Sequence, residues 1–125
     1  MPARAKTILR WVLTVAMVGV GITHFTHTDL FVHIVPPALP APRALVLVSG
    51  VAEIAGGLGL VWQRTRRAAG FGLIALYVAV FPTNIYMAID HVGLGDAPVS
   101  SAVLWLRLPL QGVFIAWAYW FTRPD

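Results

Sequence analysis

The chain has 125 residues, of which 58% are hydrophobic and 11% charged, with a mean hydropathy of +0.78. Water-soluble domains carry about 25% charged residues, so a soluble globular protein is excluded and lipid becomes the expected solvent for one small domain over 1–125. The net charge of +4 does not point to nucleic acid, because the cations hug the ends of apolar runs and form no face with interleaved aromatics. The absence of cysteine excludes thiol–disulfide chemistry by this chain itself.

The first apolar run covers 9–25. A basic start followed by an apolar stretch also describes a signal peptide, but no small-residue cleavage site follows, and the chain continues Thr23-His24-Phe25-Thr26-His27. The run therefore reads as a retained helix. The connections 26–43 and 88–100 are together rich in Pro, Gly, Asp and His. Within the first of them Asp29 is expected to cap a short helix over 30–35, with Leu30, Phe31 and Ile34 on one apolar face, ended by Pro36 and Pro37. This element fits a lid on the outer surface and equally an interfacial anchor with no gating role.

Three further apolar runs follow at 44–62, 68–87 and 101–121, joined by a short linker at 63–67 and a longer one at 88–100. Each matches the roughly 20 residues that cross a bilayer. Each must be helical, since lipid offers no partner for exposed backbone N–H and C=O groups. The expected fold is all-α: a four-transmembrane-helix bundle running up-down-up-down.

The cations orient it. Arg4, Lys6, Arg10, Arg64, Arg66, Arg67 and Arg123 fall on one side, and only Arg43 on the other. By the positive-inside rule both termini face the cytoplasm, in the cell inner (plasma) membrane. Trp11, Trp62, Trp117 and Trp120 fall near the inner interface, and Tyr86 and Trp105 near the outer one, as two aromatic belts.

Two charges lie inside the runs. Counted from the outer ends, Glu53 is about 14 Å deep and Arg107 about 9 Å, at 1.5 Å per residue. Either alone is unfavourable by about 2.5–3.5 kcal/mol at mid-helix, so the sequence predicts a Glu53–Arg107 ion pair. His24 follows Met17 and Gly21 at i+7 and i+3, and Asn84 follows Tyr77 and Phe81 at the same spacings. Pro82 and Pro109 each remove a helical hydrogen bond in the outer half. These features predict an outward-opening polar cavity lined by His24, Glu53, Asn84, Arg107 and Gln111. The bland reading stands beside it: the ion pair holds two helices in register, and the neutral polar residues complete its hydrogen bonds.

Metal binding has little support. His24, His27, His33 and His91 contain no i, i+4 pair, and Asp29, Asp90 and Asp96 read as ordinary loop residues. No nucleophile–base order, phosphate loop or haem attachment signature is present, so no catalytic residue is assigned.

The segments Gly21-Ile-Thr-His24-Phe25, Ile34-Val35-Pro36-Pro37, Ser49-Gly50-x-x-Glu53-Ile54-x-Gly56-Gly57, Val80-Phe81-Pro82-x-Asn84 and Arg107-Leu108-Pro109-Leu110-Gln111 resemble the DoxX and DoxX-like family of small bacterial membrane proteins. The resemblance spans nearly the whole chain and implies a four-helix membrane bundle. It places His24, Glu53, Asn84, Arg107 and Gln111 at the family's polar motif positions. Some relatives in that family are linked to quinone-dependent sulfur oxidation or membrane redox complexes, and a distant eukaryotic branch assists receptor assembly. Two functions follow as expectations. One is an accessory subunit of a membrane redox system, holding a quinone-like or other small ligand and meeting other redox subunits. The other is a non-enzymatic assembly factor, with a homodimer also allowed by the glycine-rich faces.

Overall fold

Backbone groups in hydrocarbon have only one another as partners, and every apolar run of this chain is accordingly helical. The computed structural model describes residues 3–90, 92 and 100–124. It contains α1 (Ala3–Thr26), α2 (Thr28–His33), α3 (Pro42–Gly59), α4 (Gln63–Asp90) and α5 (Ser101–Thr122). Four of these, all but α2, are long and apolar enough to cross a membrane. His91 and Asp96, with most of the 88–100 connection, lie outside the described residues.

The turn between α3 and α4 is tighter than expected. Thr65 Oγ1 donates to the Gly59 carbonyl at 2.7 Å and to the Trp62 carbonyl at 3.3 Å. Arg66 donates from Nε to the Leu60 carbonyl at 2.9 Å and from Nη2 to the Val61 carbonyl at 3.1 Å. These bonds satisfy carbonyls that a helix end leaves without partners. The polar stretch 63–67 therefore forms the first turn of α4 and not a linker.

Helix α1 packs on α3, α3 on α4, and α4 on α5. Backbones come close where side chains are missing. A Cβ on Gly21 would lie 2.9 Å from the Gly50 carbonyl oxygen, and one on Gly50 would lie 3.1 Å from the Gly21 carbonyl oxygen. Gly70 makes the same kind of approach to α5, where a Cβ would sit 3.0 Å from the Ala118 carbonyl oxygen. Lipid provides no hydrophobic drive between helices, so this close packing is what holds them.

Two apolar clusters result. Leu13, Met17, Leu60, Leu73, Tyr77, Ala118 and Phe121 form the larger one. Ile34, Met87, Ala88 and Leu104 form a smaller one, with Phe31 and Leu108 packed against it. The segment after α1 thus reaches across to the ends of α4 and α5.

At the opposite end, the start of α1 meets the end of α5. Lys6 Nζ donates to the Arg123 and Pro124 carbonyls at 3.2 and 3.3 Å and lies 5.6 Å from the Trp120 ring. The Arg10 guanidinium lies 5.5 Å from the Phe121 ring. Both cations are buried. A cation at a helix C-terminus complements the partial negative charge there. Trp117 and Trp120 are half-buried against the larger cluster, whereas Trp11, Trp62 and Trp105 are exposed. Of the four tryptophans expected in one belt, two are therefore packed and two exposed.

Helix α2 starts two residues earlier than expected, and Asp29 is not its cap. His27 holds the N-cap position without a side-chain cap bond. The local anchor is Thr28, whose Oγ1 donates to the His24 carbonyl at 2.7 Å and the Phe25 carbonyl at 3.2 Å. Asp29 lies in the first turn and accepts from exposed Arg43 at 3.0 Å.

Candidate functional site

His24 occupies the last turn of α1, which faces α3 just beyond the Gly21–Gly50 crossing. Its Nδ1 bonds the Val20 carbonyl at 2.9 Å, and a carbonyl only accepts, so Nδ1 is the donor. Phe31 of α2 stacks on its ring, with centroids 4.0 Å apart and planes 16° from parallel. The side chain is 10% exposed.

Glu53 projects from α3 towards it. Its Oε2 lies 3.6 Å from His24 Nδ1, beyond hydrogen-bonding distance. That oxygen is buried and accepts no hydrogen bond from the protein. Tyr77 of α4 lies within electrostatic reach of Glu53, and its hydroxyl donates to Met17 Sδ at 3.1 Å. Glu53 is therefore bordered by α1 and α4.

The predicted Glu53–Arg107 ion pair is not formed. Arg107 Nη1 points to Met87 Sδ at 3.6 Å, and Glu53 has His24 as its ionic neighbour. The reason is helix order. Helix α3 packs on α1 and α4, and α5 packs on the far flank of α4. Similar depth counted along two helices does not by itself bring two charges to one interface.

Asn84 and Gln111 do meet. Asn84 Nδ2 donates to Gln111 Oε1 at 3.3 Å, and Gln111 Nε2 donates to the Tyr77 carbonyl at 2.8 Å. Both side chains are buried. Arg107 stands one turn from Gln111 on the same stripe of α5. The five predicted residues thus form two clusters, His24 with Glu53 on α1 and α3, and Asn84, Gln111 and Arg107 on α4 and α5.

Four residues complete the site that the polar count passed over: Met17, Phe31, Tyr77 and Met87. For Met17 and Tyr77 the signal was present, since their i+7 spacing to His24 and Asn84 puts each on a site-facing stripe. For Phe31 and Met87 none was, because their contacts depend on how α2 and α4 pack.

Beside the second cluster, a cavity of about 240 Å³ lies between α4 and α5. Tyr77, Val78 and Phe81 line it on one side, and Leu108, Gln111 and Gly112 on the other. Of the five predicted residues, Gln111 lines this space. Among the described residues no group of three or more His, Cys, Asp or Glu side chains is placed to hold a metal ion.

Chemically, the first cluster offers a carboxylate oxygen without a donor. The second offers a guanidinium whose protein partner is a weak sulfur acceptor. No curated protein and no solved structure matches the chain. A family model described as a domain of unknown function, DUF8561, matches residues 13–122, from the first span to the end of the last, and the chain belongs to that family.

Proposed function

We propose that this is a DoxX-like integral membrane protein whose polar clusters bind a quinone-like or other small ligand, as an accessory subunit of a membrane redox system. One observation carries the reading. Within membrane-length helices, and among the described residues, Glu53 Oε2 has no hydrogen-bond donor and Arg107 has only the Met87 sulfur. Intramembrane ionisable groups are functional candidates by default. A reduced quinone (a quinol), with a hydroxyl donor at one position and an oxygen acceptor at another, satisfies both, whereas the oxidised form meets only Arg107. Asn84, Gln111 and Tyr77 supply neutral polar surface between them.

In this reading the four spans alternate in direction, both termini lie in the cytoplasm, and the site opens outward in a bacterial inner membrane. The cross-helix contacts support the alternation, since the start of α1 adjoins the end of α5. The distribution of Lys and Arg supports the orientation. Because the chain has no native cysteine, single cysteines are clean probes of it. A cysteine replacing Ala38 should react with an impermeant maleimide from outside intact cells, and one replacing Thr65 should not.

The ligand reading is tested by native mass spectrometry of the protein extracted in mild detergent, with quinone titration of the apo form. A stoichiometric small molecule lost in Glu53→Gln and Arg107→Met supports it. A ligand-free protein that takes up no quinone sinks it. A second reading, an assembly factor or a homodimer, is favoured by an exposed small-residue stripe on α4 formed by Ala68, Gly72, Ala75 and Ala79. On that reading an apolar Glu53/Arg107 double replacement keeps its function.

A further inference from the structure

The cavity between α4 and α5 differs in kind from the polar clusters beside it. Its walls are mostly apolar, and at about 240 Å³ it falls below the roughly 300–1,000 Å³ of pockets that enclose a whole small ligand. It has room for part of a molecule. Val78 on one wall is 58% exposed, so the space opens towards the lipid. Gly112 on the other wall has nothing within 4 Å of where a Cβ would stand, so no side chain among the described residues fills it.

The apolar space is joined to the polar site at one residue. Gln111 lines the cavity and also accepts from Asn84. Leu108, another lining residue, follows Arg107 directly in the chain. A molecule lying along the groove with its polar end at Gln111 is within one helical turn of Arg107.

Resting on the reading proposed above, we infer that this groove takes the hydrocarbon tail of the same ligand whose head group occupies the Asn84–Gln111–Arg107 cluster. The ligand is then an amphiphile that enters sideways from the bilayer, not a water-soluble metabolite. Because lipid is as apolar as the groove, the tail gains fixed packing and not exclusion from water. The tail should accordingly strengthen binding by about tenfold and not by many orders of magnitude.

The test uses the full chain in nanodiscs of phosphatidylethanolamine and phosphatidylglycerol. The probes are dimethoxy-methyl-benzoquinone without a tail and its decyl-tailed counterpart. The wild type should bind the tailed probe about tenfold more tightly. Gly112→Leu, which places a side chain in the groove, should remove that advantage and leave the affinity for the tail-less probe unchanged. Val78→Phe, filling the groove from the other wall, should do the same and serves if the first variant does not fold. Non-specific partitioning of the tailed probe into lipid is equal in all variants and cancels in the comparison. Equal affinity of the wild type for both probes, or a tail advantage that survives both substitutions, overturns the groove assignment while the head-group site stands. Failure of the wild type to bind either probe removes both.

Discussion

His24 and Glu53 approach to 3.6 Å with no hydrogen bond between them, because the Nδ1 proton of His24 is already committed to the Val20 carbonyl 2.9 Å away. The histidine is thus held by its own helix and by Phe31, and it leaves the carboxylate oxygen unsatisfied. A buried acceptor without a donor is destabilising by about 1–3 kcal/mol. A donor from water or from a ligand relieves that penalty.

Glu53→Gln should therefore separate stability from binding. It removes an unsatisfied anionic acceptor while keeping shape, so the melting temperature in detergent should hold or rise. Affinity for a ligand that donates to this position should fall by about tenfold or more, the worth of a charge-assisted bond of about 1.5–3 kcal/mol. A variant that loses stability but keeps its affinity contradicts this assignment.

Arg107→Met gives the sharper check on helix order. Breaking one half of a buried ion pair is destabilising by about 3–5 kcal/mol. Here the guanidinium contacts a methionine sulfur, so the substitution should change unfolding free energy by less than about 1 kcal/mol. Denaturant titration of the purified protein distinguishes the two magnitudes.

The α1–α3 crossing is predicted to be intolerant of one added carbon. A Cβ on Gly50 would lie 2.7 Å from His24 Cβ and 3.1 Å from the Gly21 carbonyl oxygen. Gly50→Ala should lose about 1–3 kcal/mol of stability and displace His24 from Glu53. Gly72→Ala is the control, since nothing stands within 4 Å of that site, and relief of glycine's backbone entropy should add up to about 1 kcal/mol. Thermal melts of the two variants should move in opposite directions.

Phe31 fastens α2 over His24. Phe31→Ala removes the stacked ring, so amide exchange across 28–34 should accelerate and His24 should become reactive to diethylpyrocarbonate. Asp29→Asn should leave both unchanged. The Asp29–Arg43 pair is exposed at 92% and 65% of its side chains, and such pairs contribute about 0–1 kcal/mol.

Much of this protein was legible in the residues alone. The four long helices follow from hydropathy, because a backbone in lipid must satisfy itself within each segment. A similar depth for His24, Glu53, Asn84, Arg107 and Gln111 is a sequence expectation of the same kind, since depth is a count of residues along one helix. The pairing of Asn84 with Gln111 was within reach for that reason.

What the tertiary structure alone decided is which of those residues face one another. Depth is one coordinate, and contact also needs the order of the helices and the rotation of each about its own axis. Those depend on packing between separate segments, here at Gly21 against Gly50 and Gly70 against Ala118. Glu53 consequently meets His24 and not Arg107, Lys6 and Arg10 turn inward onto the end of α5, and Phe31 closes on a histidine. Composition and spacing carry no information about any of these, because each arises where side chains of different helices share one small volume.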